Sequence, residues 1–157
     1  LVVEDAAQAF GASLNGRLAG NFSIAAGFSM NPMKSLGGYG EGGVVVTNDE
    51  TRYRRLKQHR HAGTTSDPKK FITNDCRVIA LNHKMDTINA ALLLVAMDRL
   101  DKRKQIRESI ARRYNEELPK SVQRQSIVKG EVHGRYVYVV RTRNRDREFH
   151  SPGILVS

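Results

Sequence analysis

Apolar residues fall in short runs over the first eighty positions and at helical spacing after them. Leu1, Val2 and Val3 are consecutive, partly β-branched and run straight into acids, the pattern of a parallel strand buried on both faces. Similar runs at residues 25–29, 43–47 and 77–81 predict three more strands, with a helix from about residue 49 to 59 between the last two. Strands alternating with turns and helix predict an α/β fold built on a parallel sheet. From Asp86, in N-cap position, Leu92, Val95, Ile106, Ile110 and Leu118 keep a helical period until Pro119 ends it. A pattern this long predicts a connector between two domains or a break near Asp101. "RYVYVVRT", rich in Tyr and Val, then predicts a strand of a second, smaller α/β unit. The expected segments are residues 1–85, 86–118 and 119–157.

Both ends look cut. The chain opens without Met inside an expected strand and stops in the apolar stretch "HSPGILVS", so an interior piece of a larger protein is expected. By itself such a piece should not turn over a substrate, because groups needed around its site would be missing. At 157 residues and 39% hydrophobic content it can still bury a core. No apolar run approaches the roughly 20 residues of a membrane span. The single Cys76 excludes an internal disulfide, and no charged n-region followed by an apolar h-region opens the chain. A reducing cytoplasm and no membrane partner are expected.

The net charge of +10 is unevenly spread. Residues 1–50 carry two basic and five acidic side chains, and all of the positive excess lies beyond them. There the basic residues follow helical patterns with acids interleaved, as on a solvated helix face. Without a recognition motif or interleaved aromatics this disfavours nucleic acid as a partner, and equally suits an anionic small substrate.

Two familiar motifs fail in "NPMKSLGGYGEGG", and a third fails elsewhere. Gly38, Gly40 and Gly43 spell G-x-G-x-x-G, but the strand follows the glycines instead of preceding them. Met33 stands where a Walker A loop needs glycine. Elsewhere His59 and His61 have no nearby third partner for a metal.

What remains joins "EDAAQAFGA" to "FSMNPMKSLGGYGEGG". Asp5 at one strand's C-terminal end, Gln8 three residues on, and Ser29 and Lys34 five apart at the next strand's end would gather at one rim of a parallel sheet, where open α/β folds bind ligands. Pyridoxal phosphate needs an amine for a Schiff base, a carboxylate for its ring nitrogen and donors for its phosphate; Lys34, Asp5 and Ser29 supply one each. A carboxylate about 4 Å from a pyridinium, at an effective dielectric near 20, stabilises it by about 4 kcal/mol. Singly, each residue has an ordinary use: Asp5 could cap a helix starting at Ala6, Gln8 and Ser29 could be surface and turn residues, and Lys34 could be solvated.

Taken together, "EDAAQ", "FSMNPMK", "GGYGEGGVVVT" and "LNHKMDTINAALL" resemble the DegT/DnrJ/StrS family of sugar aminotransferases, across nearly the whole chain and most strongly before Asp49. The resemblance implies a fold-type-I pyridoxal-phosphate enzyme, with residues 1–85 in the large cofactor-binding domain, 86–118 as connecting helix and 119–157 opening the small C-terminal domain. It implies that Lys34 carries the cofactor, Asp5 pairs with its ring nitrogen, Gln8 lies near the ring hydroxyl and Ser29 holds the phosphate. Asn82 matches an asparagine that reaches a neighbouring subunit's phosphate, which implies a homodimer. The implied reaction moves an amino group from glutamate to a nucleotide-linked keto-sugar in amino-sugar, surface-polysaccharide or antibiotic-sugar biosynthesis. Lys84 and Asn89 depart from the arginine and glutamine common in the family. A sister branch of sugar dehydratases replaces the lysine by histidine, which Lys34 disfavours; a regulatory or nucleic-acid-binding relative would leave the cofactor set unexplained.

Overall fold

Strand β1 (Glu4–Asp5) lies parallel to β4 (Ala26–Ser29), whose other edge carries β5 (Gly43–Val46). The structure is a computed structural model and describes residues 1–67 and 72–143. Between β1 and β4, β2 (Ser13–Leu14) and β3 (Arg17–Leu18) form a hairpin closed by Asn15 and Gly16. Both turn residues have positive φ, 50° and 78°, as a two-residue type I′ turn requires. Strand β9 (Glu131–Val132) pairs with the free edge of β2 and ties the later chain to this first unit.

Helix α1 (Glu50–Arg60) starts where the pattern predicts, because Asp49 accepts the Arg52 N–H at 2.7 Å as its N-cap. Helix α2 (Thr87–Met97) and helix α3 (Leu100–Glu117) replace the single long helix. The break falls at Asp98 and Arg99, slightly before Asp101. Asp86 occupies the N-cap position of α2 without a side-chain capping bond. Strands β6 (Thr64–Asp67) and β7 (Ile72–Cys76) form an antiparallel pair, as do β8 (Gln123–Arg124) and β10 (Val140–Arg141). No helix among the described residues is long and apolar enough to cross a membrane.

The fold is the expected α/β class, with four corrections. The sheet is mixed: β5 runs antiparallel to β4, because the chain returns through a loop and makes no helical crossover. Residues 1–3 are exposed and precede the paired positions of β1, since no described element covers their faces. Residues 77–81 form no strand; the N–H groups of Arg77 and Val78 both bond to the Gly63 carbonyl, ending the ladder at Cys76 and leaving Ile79 101% and Leu81 73% exposed. Within "RYVYVVRT" only Val140 and Arg141 pair, because Arg135 has a left-handed backbone (φ 49°) that turns the chain, and Tyr136 and Tyr138 are engaged by other elements. The expected apolar stretch after residue 143 lies outside the described residues.

Met30, Leu36 and Leu93 form the core cluster, with Phe10, Phe28, Met85, Ala96 and Leu100 packed around them. Each fully buried side chain of this size contributes about 1.5–3 kcal/mol. The cluster joins the loop after β4 to α2, and the joint is sealed by a polar group. Asn89, buried on α2, accepts the Tyr39 N–H at 2.9 Å and donates to the Glu41 carbonyl at 3.4 Å. Gly38 lies so close that a Cβ there would sit 2.3 Å from Asn89 Oδ1. Asn89→Ala should therefore lower stability by about 1–3 kcal/mol in denaturant unfolding, as the part-buried Tyr39 N–H loses its acceptor. Gly38→Ala should destabilise from the opposite side; wild-type midpoints for both variants would show that this contact does not secure the loop.

Candidate active site

The parallel register of β1 and β4 opposes Glu4 to Ala26 and Asp5 to Gly27, so both strands end at one rim. Asp5 and Ser29 are thereby brought to the same edge of the sheet. Asp5 is exposed and its Oδ1 accepts the Ala7 N–H at 3.1 Å; the chain turns there, and no helix begins at Ala6 for Asp5 to cap. A Cβ on Gly27, beside Asp5, would meet no heavy atom within 4 Å, which leaves space over the sheet at this point. Gln8 is exposed and lines an open cavity of about 440 Å³ with Ala9, Phe22, Val128, His133 and Gly134.

Ser29 ends β4, and its Oγ accepts the Asn31 N–H at 3.3 Å. Asn31 then builds the turn that carries Lys34. Its Oδ1 accepts the Met33 N–H at 2.9 Å, its carbonyl accepts the Lys34 N–H at 2.9 Å, and its Nδ2 donates to Glu41 at 2.7 Å. Two backbone bonds close the loop's base: Met30 N–H to the Gly42 carbonyl at 2.8 Å, and Gly38 N–H to the Met30 carbonyl at 2.9 Å. At Gly37 a Cβ would fall 2.4 Å from the Pro32 carbonyl oxygen, so the fold over Pro32 requires glycine. Lys34 is half-buried, with Nζ 4.6 Å from the centre of the Tyr136 ring. Behind it Ser35 is buried, its hydroxyl without a partner among the described residues and its carbonyl accepting from Arg107 at 3.5 Å.

Asn82 stands apart. It bridges to His61, which follows the last residue of α1, and its Oδ1 accepts the Lys84 N–H at 3.3 Å. It is exposed and joins no other candidate within the chain. Sequence reasoning missed Asn31 and Tyr136, and marked Asn89 only as a departure from the family's glutamine without giving it a role. An Asn-Pro pair marks turn initiation and could have singled out Asn31. For Asn89 and Tyr136 no local signal exists, since their partners lie 50 and 102 positions away.

A carboxylate and a hydroxyl at one sheet edge and an amine on the turn that follows it, with space over Gly27 and a hydroxyl behind the lysine unpartnered among the described residues, form a donor set that fits pyridoxal phosphate. Near-neutral surroundings would not suit an anion; here Arg107 approaches the same loop.

The chain is similar to known proteins along most of its length. The model of the DegT/DnrJ/EryC1/StrS aminotransferase family matches residues 1–151. A dTDP-3-amino-3,4,6-trideoxy-alpha-D-glucose transaminase of Micromonospora megalomicea subsp. nigra is 39% identical over 92% of this chain and 39% of its own. A pleiotropic regulatory protein of Geobacillus stearothermophilus is 36% identical over 93% of this chain and 39% of its own. Among solved structures, S. venezuelae DesV in complex with a ketimine intermediate superposes with a TM-score of 0.81 at 33% identity, covering 92% of this chain and 38% of that one. The chain thus spans about two-fifths of the length of these relatives. With the family model matched over residues 1–151 and relatives 39% and 36% identical over more than nine-tenths of its length, the chain belongs to the DegT/DnrJ/EryC1/StrS aminotransferase family.

Proposed function

We propose that this chain carries the cofactor-binding part of a sugar aminotransferase that moves an amino group from glutamate to a nucleotide-linked keto-sugar. The observation that supports it most is the register of β1 and β4, which brings Asp5 and Ser29 to one edge, together with the Asn31 turn that carries Lys34. The family's enzymes depend on pyridoxal phosphate. When bound, that group supplies an electron sink for a carbon bearing an amine.

The residues of this chain divide the remaining work. Lys34 would hold the cofactor through its ε-amine and, as a free amine, would take and return a proton at the substrate carbon that bears nitrogen. Asp5 keeps the ring nitrogen protonated through its negative charge. Gln8 orients the ring hydroxyl, and Ser29 donates to the phosphate. Asn82, apart from the others in this chain, reaches the phosphate of a second copy in a homodimer. The exposed apolar side chains of α2, Ile88, Leu92, Val95 and Met97 among them, offer a face for such a copy. In this reading residues 1–85 belong to the large domain, 86–118 connect, and 119–157 begin the small domain of a cytoplasmic protein. A regulatory role, the description of one relative, would leave the set at the rim without a use.

Three outcomes are expected in the complete protein. Borohydride reduction of the cofactor-loaded protein and peptide mapping should fix the label on Lys34; a label on another lysine would refute the assignment. Asp5→Asn should retain the cofactor but lose about a hundredfold or more in kcat, because a neutral amide cannot hold the ring proton as well. Near-normal kcat would reduce Asp5 to a turn residue. Asn82→Ala should bind cofactor more weakly, and should recover about a quarter of the sites when mixed with a Lys34→Ala copy to form heterodimers; a fully active monomer would dismiss the shared site.

A further inference from the structure

The segment before β10 is held in a way its sequence does not require. Arg135 has φ of 49°, a left-handed conformation that a non-glycine residue keeps only when its surroundings enforce it. Two contacts do so. Its N–H donates to His133 Nδ1 at 2.9 Å, and its guanidinium forks onto both carboxylate oxygens of Glu108 on α3 at 2.8 and 3.2 Å. The Arg135 side chain is only 13% exposed, so this bridge is better shielded than the other ion pairs described. The same bond holds the Glu108 carboxyl below its usual range, against the opposing effect of desolvation.

The next residue is Tyr136, and the turn at Arg135 delivers its ring to within 4.6 Å of Lys34 Nζ. An aromatic face attracts an ammonium, most strongly where water is partly excluded. Lys34 is half-buried here. We propose that Tyr136 is a positioning residue of the site: its ring face holds the Lys34 ammonium whenever the amine is not engaged, with Glu108 and Arg135 as the strut that sets the ring in place. This rests on Lys34 being the cofactor lysine. The consequence is that the lysine, in its protonated form, stays docked against the ring and does not swing into solvent.

The test reads Lys34 directly, in the complete protein freed of cofactor. Acetic anhydride labelling, followed by mass spectrometry, gives the acetylation rate of Lys34 relative to exposed Lys84. Tyr136→Leu, which keeps apolar bulk and removes the ring, should raise that relative rate about two- to fivefold. Tyr136→Phe should remain at the wild-type rate, since the ring face survives. Glu108→Gln leaves both partners intact but weakens the strut, and should raise the rate in the same direction; it also serves if Tyr136→Leu does not fold. An unchanged rate in the leucine variant overturns the proposal, as does a phenylalanine variant as fast as leucine, which would credit the hydroxyl. If Tyr136→Leu does not fold, an unchanged rate in Glu108→Gln overturns it. Borohydride mapping of wild-type and leucine variants separates the two readings: label on Lys34 in both, with no change in acetylation, refutes only the role of Tyr136, whereas label on a different lysine refutes the underlying assignment as well.

Discussion

The Asn31 amide spans both ends of the loop that presents Lys34, and the site depends on it. One oxygen takes the Met33 N–H, the nitrogen reaches Glu41, and the backbone carbonyl takes the Lys34 N–H. A loop of glycines has few side chains with which to secure itself and loses much backbone freedom on ordering. Asn31 from within and Asn89 from α2 supply the missing contacts. Because the Asn31 N–H also bonds to Ser29, the lysine's position is tied to the end of β4 and, through the register, to Asp5.

Helix α3 acts on the site from the other side. Arg107 reaches the Ser35 carbonyl, Lys104 reaches the Gly11 carbonyl, and Glu108 holds Arg135. Three residues within two turns therefore anchor the lysine loop, the segment after Gln8 and the segment carrying Tyr136. Part of the positive charge that crowds the second part of the sequence thus satisfies carbonyl groups of the first. The Glu108 to Arg135 bond also has a pH signature. A carboxyl held lower in the folded state contributes stability present above its unfolded range and lost as pH falls through the lowered value, so this strut weakens only in acid.

Local pattern was legible where local physics decides. Asp49 before Glu50 starts α1 because a side-chain oxygen there meets an orphan N–H three residues on, and Pro119 follows α3 because it cannot continue it. Pattern failed where a distant partner decides. The apolar residues at 77–81 read as a strand, yet Gly63 takes their first N–H groups and ends the ladder early. The valines of β5 read equally well in either direction, and the loop geometry after β4 set them antiparallel.

From sequence alone the α/β class, the helix bounds to within a few residues and the grouping of Asp5, Gln8, Ser29 and Lys34 at strand ends could be stated, because residue type and spacing carry that information along the chain. Tertiary structure alone decided that Asp5 turns the chain instead of capping a helix, that Asn82 stands apart from the other candidates, and that Asn89 and Tyr136 converge on the lysine loop. For Asn89 and Tyr136 the physical reason is separation: their contacts join residues fifty to a hundred positions apart and depend on a backbone turn such as that at Arg135, and neither leaves a periodic trace in the order of amino acids.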